Sequence, residues 1–128
     1  MKVLSIKADG RVKAVRIMAQ YDNEVTQADI KKLMPSRTGV ILATKISRLA
    51  FLYVLFVERD AANKKLPANM VASMLLNEDA GLIRGDVVLA RTNHFGSGSK
   101  YYALDDAEIN GIIERMSQLY GDKINLER

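Results

Sequence analysis

The spacing of apolar residues divides the chain into segments of two different periods. Residues 2–7, KVLSIK, alternate apolar and polar as a half-buried strand does. A turn follows at 8–10, where Gly10 can take positive φ, and residues 11–18, RVKAVRIM, return with Val12 and Ala14 inward as the second arm of a hairpin. Over 23–35 the period lengthens. Ile30, Leu33 and Met34 fall on one helical stripe, Thr26 and Asp29 have the spacing of a capping box, and Pro35 stops the helix.

Two strands are expected next, at 40–47 and 49–60. The second, LAFLYVLFVERD, is almost continuously apolar, which predicts a strand covered on both faces and lying centrally in its sheet. A short buried helix is the alternative, and the branched and aromatic content favours the strand. Residues 66–81 read as a helix with Pro67 in its first turn, an apolar face of Val71, Met74 and Leu75, and Gly81 beyond its end. The strand at 82–92 contains Gly85, a mark of a bulge or of close backbone approach. A short strand at 100–104 leads into the clearest helix, 105–121. Asp105 caps it with Glu108 three residues on, Ile109, Ile112, Ile113, Met116 and Tyr120 form its stripe, and Gly121 stops it. A short C-terminal tail, 121–128, completes one domain spanning 1–128.

The resulting order, β-β-α-β-β-α-β-β-α, predicts an α+β fold: a single mixed or antiparallel sheet with helices mainly on one face. Open edge strands in such a sheet invite pairing, so a homo-oligomer is expected.

Composition narrows the chemistry more than it identifies it. Cysteine is absent and His94 is the only histidine, so no thiolate site, disulfide or multi-imidazole metal site can be built within one chain. Ser97 and Ser99 share a Gly/Ser loop with His94 and lack an elbow or an orienting acid, and neither a Walker loop nor a GxGxxG is present. No catalytic residue, cofactor or metal is therefore expected, and the chain reads as a non-enzyme. Lys2, Lys7 and Asp9 interrupt any signal-peptide core, and the longest apolar run, Leu49 to Val57, is too short to span a bilayer. A bacterial cytoplasmic protein without a membrane partner is expected. The formal net charge of +4 favours anionic partners, although the basic residues are scattered. Lys31, Lys32, Arg37, Lys45 and Arg48 would form one positive face only if the first helix and third strand adjoin.

Two places carry candidate binding residues. Around the Gly/Ser loop, Arg91, Asn93, His94 and Lys100 supply donors for a phosphate or carboxylate, and Phe95 or Tyr101 supplies a ring to stack on a base. The competing reading is an exposed hairpin connection. Before the second helix, Lys65 sits where a helix start attracts anions, and Asn69 either bonds a ligand or ties the turn to Glu58 or to backbone.

The segment LPANMVASMLLNEDAGLIRGDVVLARTN, with YYALDDAEINGIIERM after the loop, resembles an uncharacterised family of small phage, plasmid and mobile-element proteins (domain of unknown function family 3846). Leu66, Pro67 and Asn69 match its helix-start motif, Ile83, Gly85 and Val88 its glycine-containing strand, and Leu104, Asp105 and Asp106 roughly its closing acidic helix start. Met70 stands where the family has arginine, so no anion-binding role is carried over at that position. The resemblance implies a mobile-element accessory protein acting by binding: it inhibits a host defence protein or sequesters a small nucleotide-type anion. A nucleic-acid-binding regulator is the alternative.

Overall fold

The computed structural model describes residues 2–17, 24–34, 41–45, 53–58, 65–76, 83–92, 100–121 and 125–127. In chain order the elements are β1 (Lys2–Ile6), β2 (Arg11–Arg16), β3 (Glu24–Val25), α1 (Gln27–Lys31), β4 (Ile41–Lys45), β5 (Tyr53–Glu58), α2 (Met70–Leu76), β6 (Val87–Thr92), β7 (Tyr101–Tyr102), α3 (Asp106–Tyr120) and β8 (Asn125–Glu127). This is the α+β architecture that the pattern predicts, one sheet with three helices.

β6 organises the sheet. Leu89 pairs with Leu55 of β5 and with Leu4 of β1, so those strands occupy opposite edges of β6. Arg91 pairs with Tyr53 of β5 and with Tyr102 of β7, which places β7 on the same edge as β1 and in line with it. The main width of the sheet is therefore β4-β5-β6-β1-β2-β8, and β7 with its partner β3 extends it beyond the start of β1. Among the described residues, every strand pairing is antiparallel except β2 with β8. The long apolar segment around Val54–Val57 is indeed internal, flanked by β4 and β6.

Alternation along the strands gives the sheet two apolar faces. Leu4, Ile6, Leu55, Val57, Val87 and Leu89 meet α2 and α3 through Val71, Leu75, Ile109, Ile112 and Met116. Val3, Val54, Phe56, Val88 and Ala90 pack with Ile30 and Met34, at and just beyond α1. Two helices thus cover one face and the short α1 the other.

Several local expectations hold in detail. Thr26 and Asp29 form a reciprocal capping box on α1, and Asp105 and Glu108 form one on α3. Gly10 has φ of 94° in the β1–β2 turn. Asp86 holds that turn against β6: one carboxylate oxygen accepts from the Ala8 N–H at 2.9 Å, and the other meets the Lys7 ammonium at 3.3 Å.

Others differ. Helix α2 begins at Met70, not at Leu66, because residues 67–69 are held by residues 83–85, just before β6, instead. Ala68 bridges Arg84, the Asn69 N–H donates to the Ile83 carbonyl at 2.7 Å, and the Gly85 N–H donates to the Pro67 carbonyl at 2.7 Å. Pro67 therefore lies in an extended approach to the helix and not in its first turn. Glu24 and Val25, expected in the first helix, form β3. Within the expected tail, Asn125–Glu127 form β8, whose backbone completes the outer edge of β2. Arg37 and Arg48 lie outside the described residues, so the expected positive face around them does too. No described helix is long and apolar enough to cross a membrane.

Candidate functional site

Of the residues expected to bind a ligand, Asn93, His94 and Phe95 lie outside the described residues. Asn69, Lys65, Arg91 and Lys100 fall into two groups at opposite ends of β6.

At one end is Asn69, with Lys65 on the exposed approach to it. Lys65 has φ of 54°, a left-handed conformation uncommon for a residue with a Cβ. Asn69 is 0% exposed. Its side-chain amide donates to the Ile6 carbonyl at 3.0 Å and to the Gly85 carbonyl at 2.9 Å, and its oxygen accepts from the Ala72 N–H at 3.1 Å. The amide thus caps α2 while joining it to β1 and to the entry of β6. The tie to backbone is the arrangement the structure contains, and the tie to Glu58 is not. The assignment of Asn69 as a ligand-binding residue is corrected on these grounds, since the amide is buried and bonded internally. Gly85 makes this junction possible. Its φ is 84°, and a Cβ there would come within 2.9 Å of the Leu66 side chain.

At the other end, six residues further along at about 3.3 Å per residue, or roughly 20 Å away, is Arg91. It shares a row across three strands with Tyr53 and Tyr102, its register partners on β5 and β7. All three project towards α3. The guanidinium carbon lies 5.8 Å from the centroid of the Tyr102 ring, within cation–π range. One guanidinium N–H donates to the Glu108 carboxylate at 3.4 Å, and the Tyr53 hydroxyl donates to the other carboxylate oxygen at 3.1 Å. The Asp105 N–H also donates to Glu108, at 3.2 Å. Glu108 is thus shared between its own helix cap and two strands. Its side chain is 17% exposed, against 38% for Arg91.

The hydroxyl of Tyr53 feels this setting. Partial burial, followed by the negative charge of Glu108 and the hydrogen bond to it, raises its pKa above the ordinary phenol value. Arg91 opposes that shift and does not cancel it.

Lys100 is exposed one residue before β7, and its carbonyl accepts from the Thr92 hydroxyl at 2.9 Å. By the register of β6 with β7, it stands diagonally from Arg91, a spacing of about 7–8 Å between backbones that long side chains can bridge. Arg91 and Lys100 therefore share one end of the sheet, whereas Asn69 and Lys65 occupy the other. Sequence reasoning missed Tyr53, Tyr102 and Glu108 as members of the cluster. One signal was available: Arg91 and Tyr53 continue the alternation of Leu89 and Leu55, which aims them at the helix layer.

Among the described residues, no group of three or more His, Asp or Glu side chains is placed to hold a metal ion. The chain matches no family model, no curated protein and no solved structure.

Proposed function

We propose that the chain is a non-enzymatic binding protein of the phage and mobile-element kind, which inhibits a host defence protein or sequesters a small nucleotide-type anion. The observation that carries this reading is the position of Arg91. Its guanidinium is partly exposed, lies beside the ring of Tyr102 and spends one N–H on Glu108, leaving further donors for a phosphate or carboxylate. A cation beside an aromatic ring suits a ligand that pairs an anionic group with a flat base. Glu108, the carboxylate nearest these groups, is occupied by a helix cap and two strands, which supports holding over proton transfer.

The test is thermal unfolding with a panel of cyclic and ADP-ribose-type nucleotides. A rise in Tm for the native chain, lost in Arg91→Ala, is expected. No shift with any member of the panel removes nucleotide capture and leaves inhibition of a host protein.

The second reading, a nucleic-acid-binding regulator, draws on β2, where Arg11, Lys13 and Arg16 are exposed. Arg11 and Lys13 project from one face and Arg16 from the other, and Arg11 pairs with Asp9 at 2.8 Å, which favours the first reading. Retardation of duplex or single-stranded DNA that weakens steeply with salt would reverse that preference.

A further inference from the structure

Resting on the reading of Arg91 as an anion-binding residue, we propose that Glu108 is a built-in competitor for the incoming anion and sets the affinity of the site. The geometry separates its oxygens by task. One accepts from the Tyr53 hydroxyl at 3.1 Å, and the other lies 3.4 Å from the Arg91 guanidinium while also accepting from the Asp105 N–H at 3.2 Å. The bond to Arg91 is the longest of the three. If an anion takes the guanidinium, the carboxylate keeps its hydroxyl and its backbone donor, and Arg91 exchanges one carboxylate for another oxyanion. Displacement therefore leaves no buried group without a partner.

The same carboxylate repels whatever anion approaches Arg91. The groups facing it are Arg91 from β6, Tyr53 from β5 and Asp105 from its own helix start, and Asp105 adds a second negative charge. Such a surround admits a singly charged phosphodiester or carboxylate more readily than a terminal phosphate carrying two charges. The ligand class that follows is a nucleotide bound through a diester or diphosphate bridge and not through a free phosphate end.

The charge can be removed with the cap retained. Gln at this position keeps one oxygen for the Asp105 N–H, turns its amide nitrogen to the Tyr53 hydroxyl, which then accepts instead of donating, and is compatible with a capping box. Isothermal titration would compare the native chain, Glu108→Gln and Arg91→Ala against three probes: a cyclic dinucleotide, adenosine 5′-monophosphate and inorganic phosphate. Glu108→Gln is expected to bind the cyclic dinucleotide about tenfold more tightly, from loss of the competing pair and of the repulsion. Its gain for the two probes that present a terminal or free phosphate, each group carrying up to two charges, is expected to be larger still. If Gln perturbs folding by circular dichroism, Glu108→Ala removes the same charge and is read in the same direction.

The outcomes separate the two levels of the argument. Binding by the native chain that Arg91→Ala abolishes and Glu108→Gln leaves unchanged or weakens would overturn the competitor role alone. Binding that appears only in Glu108→Gln would support that role. No binding by either protein would overturn both the role and nucleotide capture.

Discussion

The side-chain amide of Asn69 donates to the carbonyl of Ile6 at 3.0 Å, joining the start of α2 to the end of a strand 63 positions earlier in the chain. The same nitrogen reaches the Gly85 carbonyl, and the oxygen of that amide takes the Ala72 N–H. Replacement by Ala would strand all three groups in a fully buried site, at a cost of about 3–5 kcal/mol. Asn69→Asp keeps the acceptor for Ala72 and loses both donors, so it is expected to be nearly as destabilising. Denaturant unfolding of the two variants checks this, and a loss below about 1 kcal/mol for Asn69→Asp would show that the donors contribute little.

Tyr53 gives the fold an alkaline dependence with a definite sign. Its pKa is raised in the folded state, so the folded chain holds the phenolic proton at pH values where the unfolded chain has released it. The associated stability is present below the ordinary phenol pKa of 10.0 and is lost as pH rises through the folded value. Tyr53→Phe removes the hydroxyl and is expected to flatten the stability profile above that pH. Chemical denaturation from neutral pH upward would show the two curves converging.

Two glycines should respond in opposite directions to the same substitution. Gly111 is exposed in the middle of α3, and a Cβ there meets nothing within 4 Å. Gly111→Ala is expected to stabilise the protein by roughly 0.5–1 kcal/mol through helix propensity. Gly85→Ala adds a methyl group in a positive-φ conformation and against Leu66, and is expected to cost about 2 kcal/mol or more. Melting temperatures of the pair test both signs.

Removal of residues 122–128 would uncover the outer edge of β2, which β8 pairs through Val12 and Leu126. The shortened chain is expected to lose stability and to associate at high concentration, as an exposed edge invites pairing. Sedimentation of the two lengths at matched concentrations would reveal the difference.

The parts of the fold that sequence revealed are those whose cause is local. Thr26 with Asp29 and Asp105 with Glu108 fix their helix starts through neighbours three residues away, and Gly10 carries its turn through its own backbone freedom. The apolar run ending at Val57 announced its central place because both of its faces are apolar. β3 and β8 were hidden for the opposite reason. Two and three residues have no readable period, and their extended form is supplied by partners far away in sequence. The candidate site was hidden likewise: Glu108 was legible as a cap, whereas its bonds to Tyr53 and Arg91 span 55 and 17 positions. That Asn69 and Arg91 fall at opposite ends of β6 was not legible either, because nothing in composition tells which end of a strand a residue will occupy.

The crossing of β1 with β6 has a consequence for how the chain is made. β1 finds β2 at once, but its second neighbour is Val87–Leu89, more than eighty residues downstream. At a synthesis rate of about 5–20 residues per second, Val3 and Leu4 wait roughly 4–16 s before the strand that buries them emerges. During that interval both edges of the nascent hairpin are unpaired, since β8, the outer partner of β2, emerges later still, and either edge is open to any passing chain, which makes translation speed and chaperone supply determinants of yield.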